Sequence, residues 1–309
     1  MRKTQLRLIA TTIVILVFGL VAAACSSNNK NATSEAQSSP TASPTPTSKA
    51  IPQVQALVPA NIKSKGTLTV AADATYAPNE FIAPDGHTVV GMDADLAKAL
   101  GQTMGLKVNV VNATFDTIIP GLASGKYDLG MSSFTDTKER EKTVNFVTYF
   151  IAGTSFYIKT GGPNIGTLAD LCGHTVSVEK GTIQQDAAQA QSTKCKNAGK
   201  PAVNVQIFND QNQVNLALSS GRAEVAMADS PVALYQVKKS GGTFKLVGSP
   251  ISFGAAPYGI AIPKDSGMTK AVLGGMLALM AKGTYKQILT KWGIQSGAIS
   301  HAVINGARS

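Results

Sequence analysis

The chain has 309 residues, 28 of them Lys or Arg against 18 Asp or Glu, for a formal charge of +10. The basic excess is scattered, with no long basic run and few aromatics beside it, which argues against a nucleic-acid partner. His87, His174 and His301 form no ligand-spaced cluster with the three cysteines, so neither a metal nor another cofactor is expected.

The chain opens with Arg2, Lys3 and Arg7, followed by an uncharged apolar run from Leu8 to Ala24 and then Cys25. A positive start, an apolar run and small residues before a cut predict a signal peptide over 1–24. Without its three basic residues the chain keeps 25 basic against 18 acidic side chains, or +7. Ala22-Ala23-Ala24-Cys25 resembles a bacterial lipobox, with Ala22 where Leu is common. Cys25 is then the lipidated first residue of the mature chain, and a lipid would hold it on a membrane without a spanning helix. A plain signal peptide cut near Cys25, or an uncleaved anchor, remains open. Residues 25–58, rich in Ser, Thr and Pro with Pro40, Pro44 and Pro46, are expected to be a disordered tether. With Cys25 acylated, Cys172 and Cys195 remain as a pair that an oxidising exterior would join.

The remaining sequence, about 240–250 residues, suffices for two ordinary lobes. Leu68 to Ala72 is a β-type run. Met92, Leu96, Leu100 and Met104 recur at helical spacing, with Asp93 as a possible N-cap and Gly105 as a stop. A strand over Lys107 to Val111, a helix over Thr117 to Ser124 and a strand over Tyr127 to Met131 follow. The second half repeats this order: strand Thr175 to Val178, helix Thr182 to Gln191, strand Val203 to Phe208, helix Val214 to Ser220, strand Ala223 to Ala228. Leu122 to Ser133 aligns with Leu218 to Asp229, each a helix end, a Gly, a charged turn and an apolar strand. Alternation of this kind predicts an α/β fold with largely parallel sheets and a cleft between two related lobes. Tyr258 to Pro263 is strand-like, Met268 to Trp292 is helical and divided at Gly283, and residues 296–309 are expected to be loose.

In open α/β sheets ligands bind beyond the carboxyl ends of strands. Asp73, Ser132 and Ser133, Gly181-Thr182 and Asp229 fall at four such ends. Arg140 suits a carboxylate, helped by backbone around Thr135 and by the helix start at Thr182. Asp229 suits an ammonium, and Tyr76 with Phe115 would sandwich the rest. That set describes a free α-amino acid. Other readings stay open: Arg140 lies in Lys138-Glu139-Arg140-Glu141-Lys142, which also suits a solvated helix face. Tyr76 and Phe115 also suit a core, and Asp229 an N-cap before Ser230-Pro231.

Four segments resemble the bacterial extracellular solute-binding proteins of family 3, the polar amino-acid receptors of ABC importers. They are Ala72-Asp-Ala-Thr-Tyr-Ala-Pro78, Gly91-Met-Asp-Ala-Asp-Leu-Ala-Lys-Ala-Leu-Gly101, Ser133-Phe-Thr-Asp-Thr-Lys-Glu-Arg140 and Lys286-Gln-Ile-Leu-Thr-Lys-Trp-Gly293. The resemblance covers about Ile62 to Ile294. It implies a periplasmic-binding-protein-like fold in which two strands, near Phe156–Lys159 and Gly254–Ile260, join two lobes. Lobe 1 would comprise 59–157 plus 258–295, and lobe 2 would comprise 158–257. By matching positions, Arg140, Thr135 and Thr182 bind the α-carboxylate, and Asp229 and Ser133 the α-ammonium. Asp73, Tyr76, Phe115 and Gln184 shape the side-chain pocket. Ile183 and Asn79 depart from common choices, implying fewer carboxylate contacts and a more polar pocket.

The resemblance further implies a monomeric receptor at the extracellular face of the bacterial cytoplasmic membrane. Its partners would be a polar amino acid, basic or amide, and the ABC permease. Two alternatives are a dehydratase-like enzyme of the same fold and a sensor lipoprotein without a transporter. The first needs a positioned acid or base, and the matched cleft positions hold no Glu, only Asp73 and Asp229.

Overall fold

Apolar β-type runs separated by Gly-ended helices become a mixed sheet covered by helices. The structure, a computed structural model, describes residues 49–249 and 251–307. The expected signal peptide, Cys25 and the larger part of the expected tether lie outside the described residues. The first part contains α1 (Pro52–Ala56), α2 (Ala60–Lys65), β1 (Thr67–Ala72), β2 (Thr75–Tyr76), β3 (Glu80–Ile82), β4 (Val89–Val90) and α3 (Met92–Met104). It continues through β5 (Lys107–Asn112), α4 (Phe115–Ala123), β6 (Leu129–Gly130), α5 (Lys138–Glu141) and the long β7 (Val144–Lys159). The second part contains β8 (Thr175–Glu179), α6 (Ile183–Asn197), β9 (Asn204–Phe208), α7 (Gln211–Ser219), β10 (Val225–Asp229), α8 (Ser230–Lys239) and β11 (Phe244–Val247). Then β12 (Phe253–Pro263), α9 (Thr269–Ala281) and α10 (Thr284–Trp292) return to the first part.

The main sheet runs β5-β1-β6-β12-β7-β10-β8-β9, with β11 also on β7. Parallel pairing links β1 to β5 and β6 in one lobe, and β8 to β9 and β10 in the other. In the middle β7 and β12 pair antiparallel with each other, and β7 also pairs antiparallel with β10 and β11. The expectation of parallel sheets therefore holds within each lobe and fails at the junction, where the chain reverses. Register shifts in β12 at Phe253/Ala256 and Tyr258/Gly259 bend this junction.

Each lobe has a core, and a further cluster, with Ile118 and Phe134 from the first lobe and Val214 and Val232 from the second, spans the two. Leu68, Leu96, Leu100, Val272, Met276 and Leu279 are buried together, so the returning α9 packs on α3. Val176, Val178, Val225 and Met227 form the core of the other lobe. There Cys172 and Cys195 are joined in a disulfide with Cα atoms 5.6 Å apart. No helix among the described residues is long and apolar enough to cross a membrane.

Both ends of the described chain differ from expectation. Residues 52–58 were expected within the tether, yet Pro52 starts a helix and Val54 and Val58 bury against the first core. Ile51 donates its N–H to the Thr103 carbonyl, which fixes the entry. The tail was expected to be loose, but Val303 and Thr148 exchange hydrogen bonds and Asn305 does the same with Phe146 along β7. Asp93 is not an N-cap: Gly91 holds that position at φ +129°, where a Cβ would lie 2.2 Å from the Asn79 carbonyl oxygen. Asp93 is instead buried, accepting from Ser133 N and the Tyr149 hydroxyl. Several elements went unread in the sequence: the small β2-β3-β4 sheet, the first half of β7, α8 and β11.

Candidate functional site

The carboxyl ends of β1, β6, β8 and β10 converge on a narrow pocket between the lobes. Tyr76, Phe115, Ser133, Thr135 and Arg140 line it from the first lobe. Thr182, Gln184 and Asp229 line it from the second. The lobes touch around it. Arg140 reaches the Gly181 carbonyl, Lys180 pairs with Asp116 at 2.8 Å, and Gln211 N donates to Thr75 Oγ1 at 3.2 Å. Gly181 has φ +77°, and a Cβ there would press on Asp116 at 3.0 Å, so glycine permits this approach.

Arg140 is positioned by the Thr137 cap of α5, whose hydroxyl accepts from Arg140 N. Its Nη1 donates to Thr135 O at 2.8 Å and its Nη2 to Gly181 O at 3.0 Å. The guanidinium carbon lies 5.2 Å from the Phe115 ring centre and 5.6 Å from that of Phe134. Burial pulls its pKa down, while Asp229 and Tyr76 push it back up. An arginine stays charged under such conditions, and the rest of the fork's donors can take a carboxylate.

Asp229 does hold the N-cap position of α8, but its oxygens make no cap bond. They accept from Gln184 Nε2 and Tyr258 Oη, each at 2.6 Å. Burial raises its pKa to about 6, with the hydroxyl, the amide and Arg140 opposing. It is therefore largely an anion at neutral pH. Gln184 spends its amide on Asp229 and on Thr154 Oγ1, so it orients the carboxylate rather than reaching outward.

Ser133 has φ +52°; its Oγ accepts from Asn79 Nδ2 and donates to Glu80 Oε2. Burial and repulsion from Asp93 hold the Glu80 carboxyl well above the usual range. Thr182 caps α6, accepting from Gln185 N and donating to Glu179 O. The start of that helix faces the cavity with Ile183, an apolar side chain, in the wall.

Three residues stand differently from expectation. Asp73 does not line the cavity: it accepts from Thr75 Oγ1 and Phe115 N, supporting the aromatic wall from behind. Tyr76 and Phe115 form one wall rather than a sandwich, their centres 5.9 Å apart and their planes tilted by 56°. Asn79 lies under Ser133 and adds no polarity to the lining.

Glu179, Gln211, Met227, Ala228 and Val232 also line the cavity and were missed. Glu179 matters chemically and corrects the expectation that the cleft has no Glu. It is the last residue of β8, one past the predicted strand, and that position was the available signal. It is 1% exposed, and neither of its carboxyl oxygens has a hydrogen-bond partner. Burial, then the Asp73 charge, pushes its pKa up to about 10.

A two-lobed α/β sheet whose strand ends meet at a polar cavity is a periplasmic-binding-protein-like fold. The chain belongs to the bacterial extracellular solute-binding proteins, family 3, whose sequence model matches residues 68–295. It is 31% identical to the Arginine-binding protein ArgT of Corynebacterium glutamicum over 98% of this chain and 97% of that protein. An ancestral arginine-binding protein bound to arginine superposes with a TM-score of 0.67 at 37% identity, over 74% of this chain and 98% of that one. An ancestral amino-acid-binding protein described as a precursor of cyclohexadienyl dehydratase gives 0.67 at 34% identity, over 75% and 97%.

Proposed function

We propose that this chain is a lipid-anchored receptor, held through Cys25 at the extracellular face of the bacterial cytoplasmic membrane. It captures a free polar amino acid, basic or amide, and delivers it as a monomer to the permease of an ABC importer. The observation that carries this reading is the meeting, in one pocket between the lobes, of the Arg140 guanidinium and the Asp229 carboxylate. An α-amino acid presents the complementary carboxylate and ammonium. Ser133 and Thr135 complete the ammonium and carboxylate sides, and the helix start at Thr182 adds backbone donors. The ligand bridges both lobes, so it binds the closed state better and shifts the population toward it. The arginine-binding relatives favour a basic side chain.

Calorimetric titration of the full chain, solubilised in mild detergent and stripped of ligand, with single amino acids tests this. Saturable binding of one polar α-amino acid, and none of its des-amino or des-carboxy analogues, is the expected result. No binding by a folded sample sinks the reading.

Glu179 keeps a second reading in play, because a buried neutral carboxyl in the cleft is the acid a dehydratase needs. The binding reading is stronger because every polar group around Asp229 and Arg140 holds those charges fixed rather than offering a proton. Incubation with prephenate is expected to give no product; turnover would reverse the preference.

A further inference from the structure

The part of the cavity around Glu179 is chemically unfinished. Both Glu179 carboxyl oxygens and the Tyr76 hydroxyl are buried in its wall beside one another and beside Asp73, without a well-formed hydrogen bond. A buried polar atom without a partner costs about 1–3 kcal/mol. Glu179 has only an acid and a phenol beside it in that wall, so a cationic or amide partner for it would arrive with the ligand. The charges bearing most on Glu179 are those of Asp73 and Asp210, with Tyr76 beside it. Arg140 is lowered by burial and raised by Asp229 and then Tyr76.

The neighbours of Glu179 on every side are already engaged. Asp73, beyond β1, accepts from Thr75 and Phe115. Asp210, capping α7, accepts from Gln213 N and Gln213 Nε2. Gln211 gives its amide to the Tyr157 hydroxyl, and Lys180 gives its ammonium to Asp116. Among the described residues no cation acts on Glu179. With satisfied carboxylates as neighbours, it is the group that keeps a proton when the cavity is empty.

We propose that Glu179 decides which side chain the cavity accepts: ionised it holds a cationic end, and protonated it holds an amide. A cationic amino acid then enters by displacing the Glu179 proton to solvent, whereas an amide amino acid enters without proton exchange. The protonated carboxyl offers one donor and one acceptor, which match the oxygen and nitrogen of a primary amide. The carboxylate offers two acceptors, which match the fork of a guanidinium. The burial that raises the Glu179 pKa acts in the same direction. This inference rests on the amino-acid reading above and deepens it.

The test is calorimetry on the full chain with arginine and glutamine, in buffers of different ionisation enthalpy, between about pH 6.5 and 8.5. Arginine is expected to release about one proton per molecule bound, and glutamine none. The arginine-to-glutamine affinity ratio should then rise by up to about tenfold per pH unit, as linkage requires for one displaced proton. Glu179→Gln should lose about 30-fold or more for arginine, hold glutamine within about threefold, and flatten the pH dependence. If the wild type binds no amino acid, the receptor reading fails and this inference falls with it. If amino acids bind with no proton release and a pH-independent ratio, this inference alone is overturned. The proton count uses the wild type, so the test stands even if the variant does not fold.

Discussion

The two ends of the cavity hold their charges in opposite ways. Arg140 and Asp229 are each held by the protein: carbonyls of Thr135 and Gly181 for the first, Gln184 and Tyr258 for the second. Around Glu179, equally buried, only Tyr76 and Asp73 stand alongside, and neither brings a positive charge. Preorganised charges recognise groups common to all α-amino acids, and holding them fixed costs no rearrangement when the ligand arrives. An unbraced carboxyl can change its protonation, so that end adapts to what varies between ligands.

The sharpest way to break this comparison is Arg140→Ala. It would leave a ligand carboxylate buried without a charge partner, a loss of roughly 3 kcal/mol or more, or at least about 100-fold in affinity. The loss should be the same for basic and amide ligands, because this end does not see the side chain. Titration of both ligand types into the variant checks it, and a loss confined to one type would refute the division of labour.

Acid should separate stability from binding. Burial lifts Asp229 to about 6, above its ordinary value near 3.8. The fold therefore favours the protonated form. The stability this group contributes to the empty protein is complete below about pH 3.8 and is lost as pH rises through about 6. Asp73, also raised to about 6, acts in the same sense, and Glu179 continues the trend toward about 10. Under the proposed function binding runs the other way, since a ligand ammonium would need the Asp229 anion. Between pH 7 and 5 the affinity for every amino acid should fall several-fold, while these groups add stability to the empty chain. Titrations paired with denaturant melts across that range show whether the two curves cross.

The smallest expected effect comes from the rim. Lys180 and Asp116 pair across the lobes at 2.8 Å, and neither lines the cavity. Their ion pair is partly exposed, so Lys180→Ala should weaken binding only about two- to fivefold, within the 0.2–1 kcal/mol typical of such pairs. The effect should fade in high salt and show mainly as faster ligand release in stopped-flow measurements. A salt-independent loss would assign Lys180 to the binding end instead.

The sequence by itself determined much of this protein. Apolar periodicity and Gly stops placed the principal helices and strands, because these signals are local and each element carries its own. The rule that ligands lie beyond strand ends then brought out Ser133, Thr182 and Asp229, which the structure brings together with Arg140 in one cavity. What only the tertiary structure decided is non-local. Glu179 reads in sequence like any surface glutamate, and the groups that bear on it once buried, Asp73, Tyr76 and Asp210, come from distant segments. Val54, Val58 and Ala302 sit in stretches too weakly patterned to predict order, and they bury because α3, α9 and β7 lie beside them. Asp93 fits an N-cap by position alone, but Gly91 allows the chain so close to Asn79 that the carboxylate turns inward to Ser133 and Tyr149. Local pattern fixes which segments form elements. Which polar group is left buried without a partner is settled only when the lobes come together.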